Sequence, residues 1–153
     1  MTDSIKITDL ASLIGQEQAP SSWMEITQDR INAFADATND HQYIHVDPEK
    51  AAKTLFRGTI AHGFLTLSVV PSLLAEKAKK IEGLKMGINY GSNKVRYLQA
   101  VRVGSRIRAR QELLEVTEKS PGQWLTKTLV TVDIENQDKP ALIAEFLAML
   151  IIR

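Results

Sequence analysis

His62-Gly63-Phe64-Leu65-Thr66-Leu67-Ser68-Val69-Val70-Pro71-Ser72-Leu73-Leu74 is the stretch on which the fold turns. Its apolar residues fall on every side of a helical wheel, whereas a surface helix keeps one polar face. The pattern therefore predicts a buried helix from Ala61 to about Lys79, polar only in its last third. Pro71 removes one main-chain hydrogen bond and bends or breaks the axis. Whatever surrounds this helix has to come from the rest of the chain. After Gly83 the segments Lys85 to Tyr90, Lys94 to Tyr97, Ser105 to Val116, Trp124 to Glu135 and Ala141 to Ile152 alternate with period two, as strands do. In the fourth, Thr126, Thr128, Val130, Val132 and Ile134 share one side, and the turn residues Ser120-Pro121-Gly122 precede it. The last segment is apolar on both faces, which suits a central strand in a covered sheet or a strand at a subunit contact. Helical signals first and strand signals after predict an α+β fold, a long antiparallel sheet wrapped around one apolar helix.

Upstream of the helix the signals are shorter. Thr8 is placed to cap a short helix through Ile14, and Trp23 to Ile26 reads as a strand. Thr27 then caps a helix to about Thr38, with Ile31, Phe34 and Ala35 on one face. A polar loop, Asn39 to Val46, follows. Asp47-Pro48-Glu49 restarts a helix, with a good cap, a proline suited to the first helical position and an acid at the positive helix end; it runs to about Thr54.

Composition bounds what this fold can do. The chain has 153 residues, 44% of them hydrophobic and 24% charged, which predicts one domain spanning 1–153. The absence of Cys excludes zinc–thiolate sites, iron–sulfur clusters and thiol nucleophiles. Nineteen basic residues against 18 acidic ones leave a net charge of +1, so no global field points to nucleic acid or an anionic membrane. The apolar runs are shorter than the roughly 20 residues a bilayer crossing needs. Met1 to Lys6 is polar and carries an acid, unlike an export signal. The expectation is a soluble, cytoplasmic protein with neither nucleic-acid nor membrane partners. Glycine-rich phosphate loops, Gly-x-Ser-x-Gly elbows and His-Glu-x-x-His helices are missing from the sequence.

Acid–base side chains crowd into one region, Asp40, His41, His45 and Asp47, with His62-Gly63 downstream, so that all three histidines lie within 22 positions. Loops hold both helix caps and active sites. Asp47 is better explained as a cap, and His41 as a solvated or loop-supporting group. His62 either contacts substrate or orients the helix start through a hydrogen bond. The spacing of Asp40, His45 and His62 fits no standard metal site, and none is expected.

Phe34-Ala-Asp-Ala-Thr-Asn-Asp40-His-Gln-Tyr-Ile-His45-Val-Asp47, with Gly58-Thr-Ile-Ala-His62-Gly63-Phe64 downstream, resembles the MaoC-like dehydratases and, among them, the R-specific enoyl-CoA hydratases. The likeness continues through Asn89-Tyr90-Gly91 and Val101 to Ser105. It implies a hot-dog fold, with the buried helix as sausage and the sheet as bun. It also implies reversible addition of water to a trans-2-enoyl-CoA, giving the (3R)-3-hydroxyacyl form, by a homodimer. Coenzyme A is then part of the substrate and no separate cofactor is needed. The catalytic Asp falls on Asp40, the catalytic His on His45, and the main-chain N–H that binds the thioester oxygen on Gly63. Many relatives have Asn-Pro where this chain has Gln42-Tyr43, and a helix Ser of some relatives falls on Pro71. The physical logic agrees: hydration needs a base for water, an acid for C2 and stabilisation of an enolate-like oxygen. Gly63 opens a helix, where free N–H groups and the dipole favour negative charge.

Between Ser92 and Gln111 stand six basic residues and no acid. Arg106, Arg108 and Arg110 alternate along one strand, so Arg106 and Arg108 are candidates to meet the phosphates of coenzyme A, the alternative being a solvated outer face. Two other activities suit the same fold: an acyl-CoA thioesterase, in which the carboxylate directs water to the carbonyl carbon, and a non-catalytic acyl-thioester-binding protein.

Overall fold

The computed structural model describes residues 4–153, so the first three residues of the polar N-terminal segment lie outside it. In chain order its elements are β1 (Ser4–Ile5), a 3-10 helix (Ile7–Leu13), β2 (Met24–Glu25), α1 (Gln28–Thr38), α2 (Tyr43–Val46), α3 (Pro48–Ala51), α4 (Gly63–Ser68), α5 (Val70–Ala75), β3 (Lys80–Ile81), β4 (Leu84–Tyr97), β5 (Arg106–Ser120), β6 (Gln123–Ile134) and β7 (Leu142–Ile152). Five strands form an antiparallel sheet in the order β2-β5-β6-β7-β4, while β1 and β3 pair in parallel beside it. The doubly apolar β7 is interior to the sheet, between β6 and β4, as its pattern required.

Helices α4 and α5 pack into the sheet. Leu65, Val69, Val70 and Leu73 share one buried cluster with Ile107, Ala109, Val130, Val132, Leu142 and Ala144 from three strands. This is the α+β hot-dog arrangement, a sheet around a helix. The helical segment itself departs from expectation. It is two short helices joined at Val69, and it stops at Ala75 instead of about Lys79. Pro71 sits in the first turn of α5 and has no N–H to continue the ladder of α4, so the axis is interrupted at Val69, two residues before it. Nor is the segment buried all round: Phe64 is 68% exposed, because the sheet covers one side of the helices only.

Other boundaries shift for local reasons. Thr27 caps α1 as predicted, its hydroxyl accepting from the Arg30 N–H, and Asp47 caps α3 by accepting from Lys50 N–H. Lys6, not Thr8, precedes the first helix, which is a 3-10 helix. The two strands expected at 85–90 and 94–97 are one strand, β4, with pairing irregularities between Asn89 and Gly91 and between Asn93 and Arg96. Those bulges absorb the break in alternation that made the sequence look like two segments. No helix among the described residues is long and apolar enough to cross a membrane.

Candidate active site

Helix α1 ends at Asn39, whose left-handed φ of 58° turns the chain and starts the loop that carries Asp40. The stretch read as loop then contains a single helical turn, α2, closed by the Asp47 N–H donating to the Tyr43 carbonyl. His45 lies on that turn and is 6% exposed. Its Nδ1–H donates to the Ile60 carbonyl at 2.7 Å, while the Ile60 N–H donates to the Ile44 carbonyl at 3.0 Å. The pair of bonds ties the α2 turn to the segment entering α4. Because a carbonyl only accepts, this bond places the ring hydrogen on Nδ1 and leaves the Nε2 lone pair free. Burial lowers the His45 pKa; the Ile60 bond and Asp40 oppose that shift and His62 reinforces it.

Two groups that sequence reasoning passed over hold this turn from behind. Gln28, the first residue of α1, donates from Nε2 to the His45 main-chain carbonyl at 2.8 Å. Thr59, almost fully buried, donates its hydroxyl to Gln28 Oε1 at 2.5 Å. Neither had a signal in sequence, since Gln at a helix start and Thr in a loop are ordinary.

Asp40 is exposed, and a carboxylate oxygen of Asp40, a ring nitrogen of His45 and one of His62 lie within 4.8 Å of one another. His62 is 2% exposed and donates from Nε2 to the Asp40 main-chain carbonyl at 2.9 Å. Its ring stacks on that of His45, with centroids 3.8 Å apart and planes 22° apart. Stacked imidazoles project their in-plane lone pairs along separate planes, which does not suit convergence on one metal ion at about 2.0–2.1 Å. His41 takes the supporting role expected of it, pairing with Asp36 at 2.8 Å on the surface.

A cavity of about 300 Å³ opens beside this cluster, lined by His45, Phe56, Ile60, Gly63, Thr66 and Tyr97 among others. Gly63 is the first residue of α4, so its N–H has no carbonyl partner within the helix. A Cβ at this position would stand 3.0 Å from Tyr97 Cε1, so the aromatic ring and the helix start approach as closely as glycine permits. Burial raises the Tyr97 phenol, keeping it a hydrogen-bond donor at the cavity wall. A larger cavity of about 490 Å³ lies at the other end of the helical segment, near Leu10, Pro71 and Ile88. None of Asp40, His45 and Gly63 borders it, whereas His45 and Gly63 line the smaller one.

The arginines singled out from sequence already have acidic partners. Ile107 and Ala109 face the core, so Arg106, Arg108 and Arg110 project from the opposite side of β5. Arg106 makes a two-point ion pair with Glu135, and Arg108 reaches Asp133 at 3.3 Å while lying over the Trp23 ring. Arg110 bonds Asp133 and Glu17. These side chains are spent on neighbours outside the cavity. Two other arginines, Arg57 and Arg102, follow the lining residues Phe56 and Val101 in the chain, are exposed, and have no acidic partner among the described residues.

The family model described as MaoC like domain matches residues 9–136. The 3-hydroxyacyl-thioester dehydratase Z of Mycobacterium tuberculosis is 47% identical over 139 residues, covering 91% of each chain. Nodulation protein N of Rhizobium meliloti is 46% identical over 146 residues, 95% of this chain and 91% of its own. In three dimensions the monoamine oxidase regulatory protein from Archaeoglobus fulgius superposes with a TM-score of 0.83 at 24% identity, over 100% of this chain and 99% of its own.

The lowered His45 pKa has a measurable consequence. With the folded-state value below the ordinary 6.5, the unfolded chain takes up this proton first as pH falls. Stability is therefore lost on acidification through the unfolded value, and the loss levels off below the folded one. Urea midpoints measured from about pH 8 to about pH 5 should fall more steeply for the wild type than for His45→Phe, which has nothing to titrate there. Equal slopes would contradict the assignment.

Proposed function

The chain belongs to the MaoC-like dehydratase family, and on that premise we propose that it reversibly adds water to a trans-2-enoyl thioester of coenzyme A, giving the (3R)-3-hydroxyacyl thioester. The family is one of hydro-lyases. One observation carries the reading: a buried, neutral His45 with its Nδ1–H spent on Ile60 has a ring nitrogen within 4.8 Å of the Asp40 carboxylate and lines one cavity together with Gly63, the first residue of α4. The mycobacterial relative's name, a 3-hydroxyacyl-thioester dehydratase, agrees with it.

Asp40 and His45 hold one water between them. Asp40 takes one of its protons as the oxygen bonds to C3 of the enoyl group. The His45 Nδ1–H is committed to Ile60, so the resting pair has no spare acidic proton on its cavity side. The proton that reaches C2 is then the one just taken from water, and H and OH both come from a single molecule. Meanwhile the Gly63 N–H donates to the thioester oxygen as it gains enolate character; a donor of this kind is worth about 2.7–4 kcal/mol in the chemical step. Arg57 and Arg102 take the place once given to Arg106 and Arg108 as partners for the coenzyme A phosphates.

A second copy of the chain completes the protein. Strand β4 forms an edge of the sheet, with one side unpaired, and Met86, Ile88 and Tyr90 on it are exposed, as is Phe64 nearby in sequence to the cavity-lining Gly63. A long apolar edge of this kind pairs with another chain or aggregates. By analytical ultracentrifugation the wild type should sediment as a dimer and Ile88→Lys as a monomer; a monomeric wild type would count against the arrangement.

The activity test mixes purified protein with crotonyl-CoA and follows the enoyl absorbance, free thiol and 3-hydroxyacyl stereochemistry together. The expected result is absorbance loss without thiol and a 3R product, reduced by at least about 100-fold in Asp40→Asn and in His45→Gln. In Arg102→Ala the KM should rise for the coenzyme A ester and not for a short pantetheine ester. Thiol release would identify a thioesterase instead, and binding of enoyl esters without turnover a non-catalytic acyl-thioester protein.

A further inference from the structure

We propose that His62 is the positioning residue that sets the separation of Asp40 and His45, a role that rests on the hydration reading above. One side chain touches both partners by different means. Its Nε2–H holds the Asp40 main-chain carbonyl at 2.9 Å, and its ring face supports the His45 imidazole at 3.8 Å. Phe34 of α1 backs it at 5.0 Å on a tilted ring. His62 is thus held between α1 and α2 while its own backbone caps α4, the helix whose first N–H faces the thioester oxygen in that reading. Main-chain bonds fix His45, and Gln42 links the loop to it by donating to Asp40 Oδ1 at 3.4 Å and accepting from the His45 N–H at 2.9 Å; the His62 ring is the side chain that holds both.

The choice of histidine follows from the two contacts. Glutamine offers a donor at the ε position without a flat ring, and phenylalanine a flat ring without a donor; the imidazole combines the two. The cost is visible in the structure. His62 Nδ1 is buried and makes no hydrogen bond, and an orphaned buried polar atom is retained where the rest of the group has work that no apolar ring performs. His62 is 2% exposed, and its two contacts are with Asp40 and His45 themselves. The titratable groups that bear on His45 are His62, at the head of α4, and Asp40, on the loop after α1; Phe34 on the far side of His62 is uncharged. Removing the imidazole of His62 removes a neighbour whose charge opposes protonation of His45.

Two variants separate the contacts: His62→Gln keeps the donor and loses the stacked ring, and His62→Phe does the reverse. Each should lower kcat on crotonyl-CoA by about 10- to 100-fold, as misplacement of a reacting group does, while KM changes less than about twofold. In each the acid limb of the kcat/KM profile should move to higher pH. The chain has three histidines, so NMR titration can follow the His45 ring directly, and its midpoint should rise in both variants. A raised KM with kcat retained would overturn the proposal in favour of substrate contact. Reduced thermal stability with kcat, pH profile and His45 titration all as in the wild type would overturn it in favour of core packing alone. If the wild type itself does not hydrate enoyl esters, the hydration reading fails separately, and the NMR titration still decides: an unmoved His45 midpoint in both variants defeats the positioning role.

Discussion

The hydrogen bond from His45 Nδ1 to the Ile60 carbonyl, 2.7 Å long, is the constraint on which the site depends. It joins two stretches that are 15 residues apart and belong to different elements, the turn α2 and the segment that feeds α4. By occupying Nδ1 it makes Nε2 the atom offered to the cavity, and burial keeps that atom unprotonated as a lone-pair acceptor. The antiparallel sheet serves this contact. Ala61 bonds to Val101 and Val103 bonds to Thr59, so the chain entering α4 is anchored to the segment entering β5 just where His45 grips it.

From that anchor the two acid–base groups acquire different surroundings. His45 is buried and held by Ile60, Gln28 and the His62 ring, whereas the Asp40 side chain is exposed and positioned through its own main chain. Main-chain bonds hold the imidazole, and the Asp40 carboxylate stands on the solvent side of it, accepting from the Gln42 N–H at 3.4 Å. Preorganisation of this kind spends folding energy, for example on the orphaned His62 Nδ1, to keep reacting groups in register.

Much of this was legible in the sequence where the signal is local. Thr27 and Asp47 are capping residues whose partners stand three positions away, so spacing alone reveals them. Strand alternation revealed β5, β6 and β7 because one face of each packs on the helices. The resemblance marked Asp40, His45 and Gly63, and the structure brings Asp40 and His45 into one cluster, with His45 and Gly63 lining one cavity. What stayed hidden depends on distant partners. Arg106 and Arg108 looked like an unopposed positive strand, yet their acids, Glu135 just beyond the neighbouring strand β6 and Asp133 on it, are 29 and 25 residues along the chain. Gln28 reaches His45 across 17 positions, and Thr59 reaches Gln28 across 31. The central helix was misread in a different way. Its apolar residues on all sides implied full burial, but the side bearing Phe64 and Pro71 is left open by a sheet that covers only the other.

The central claim is that a single water, held on one face of the substrate by Asp40 and His45, supplies both the OH at C3 and the H at C2. Hydration of crotonyl-CoA in D₂O, with the product's C2 and C3 configurations assigned by NMR, tests this directly. The account predicts a 3R alcohol with deuterium added at C2 on the same face as the hydroxyl. Addition of deuterium to the opposite face, or a 3S product, would contradict it.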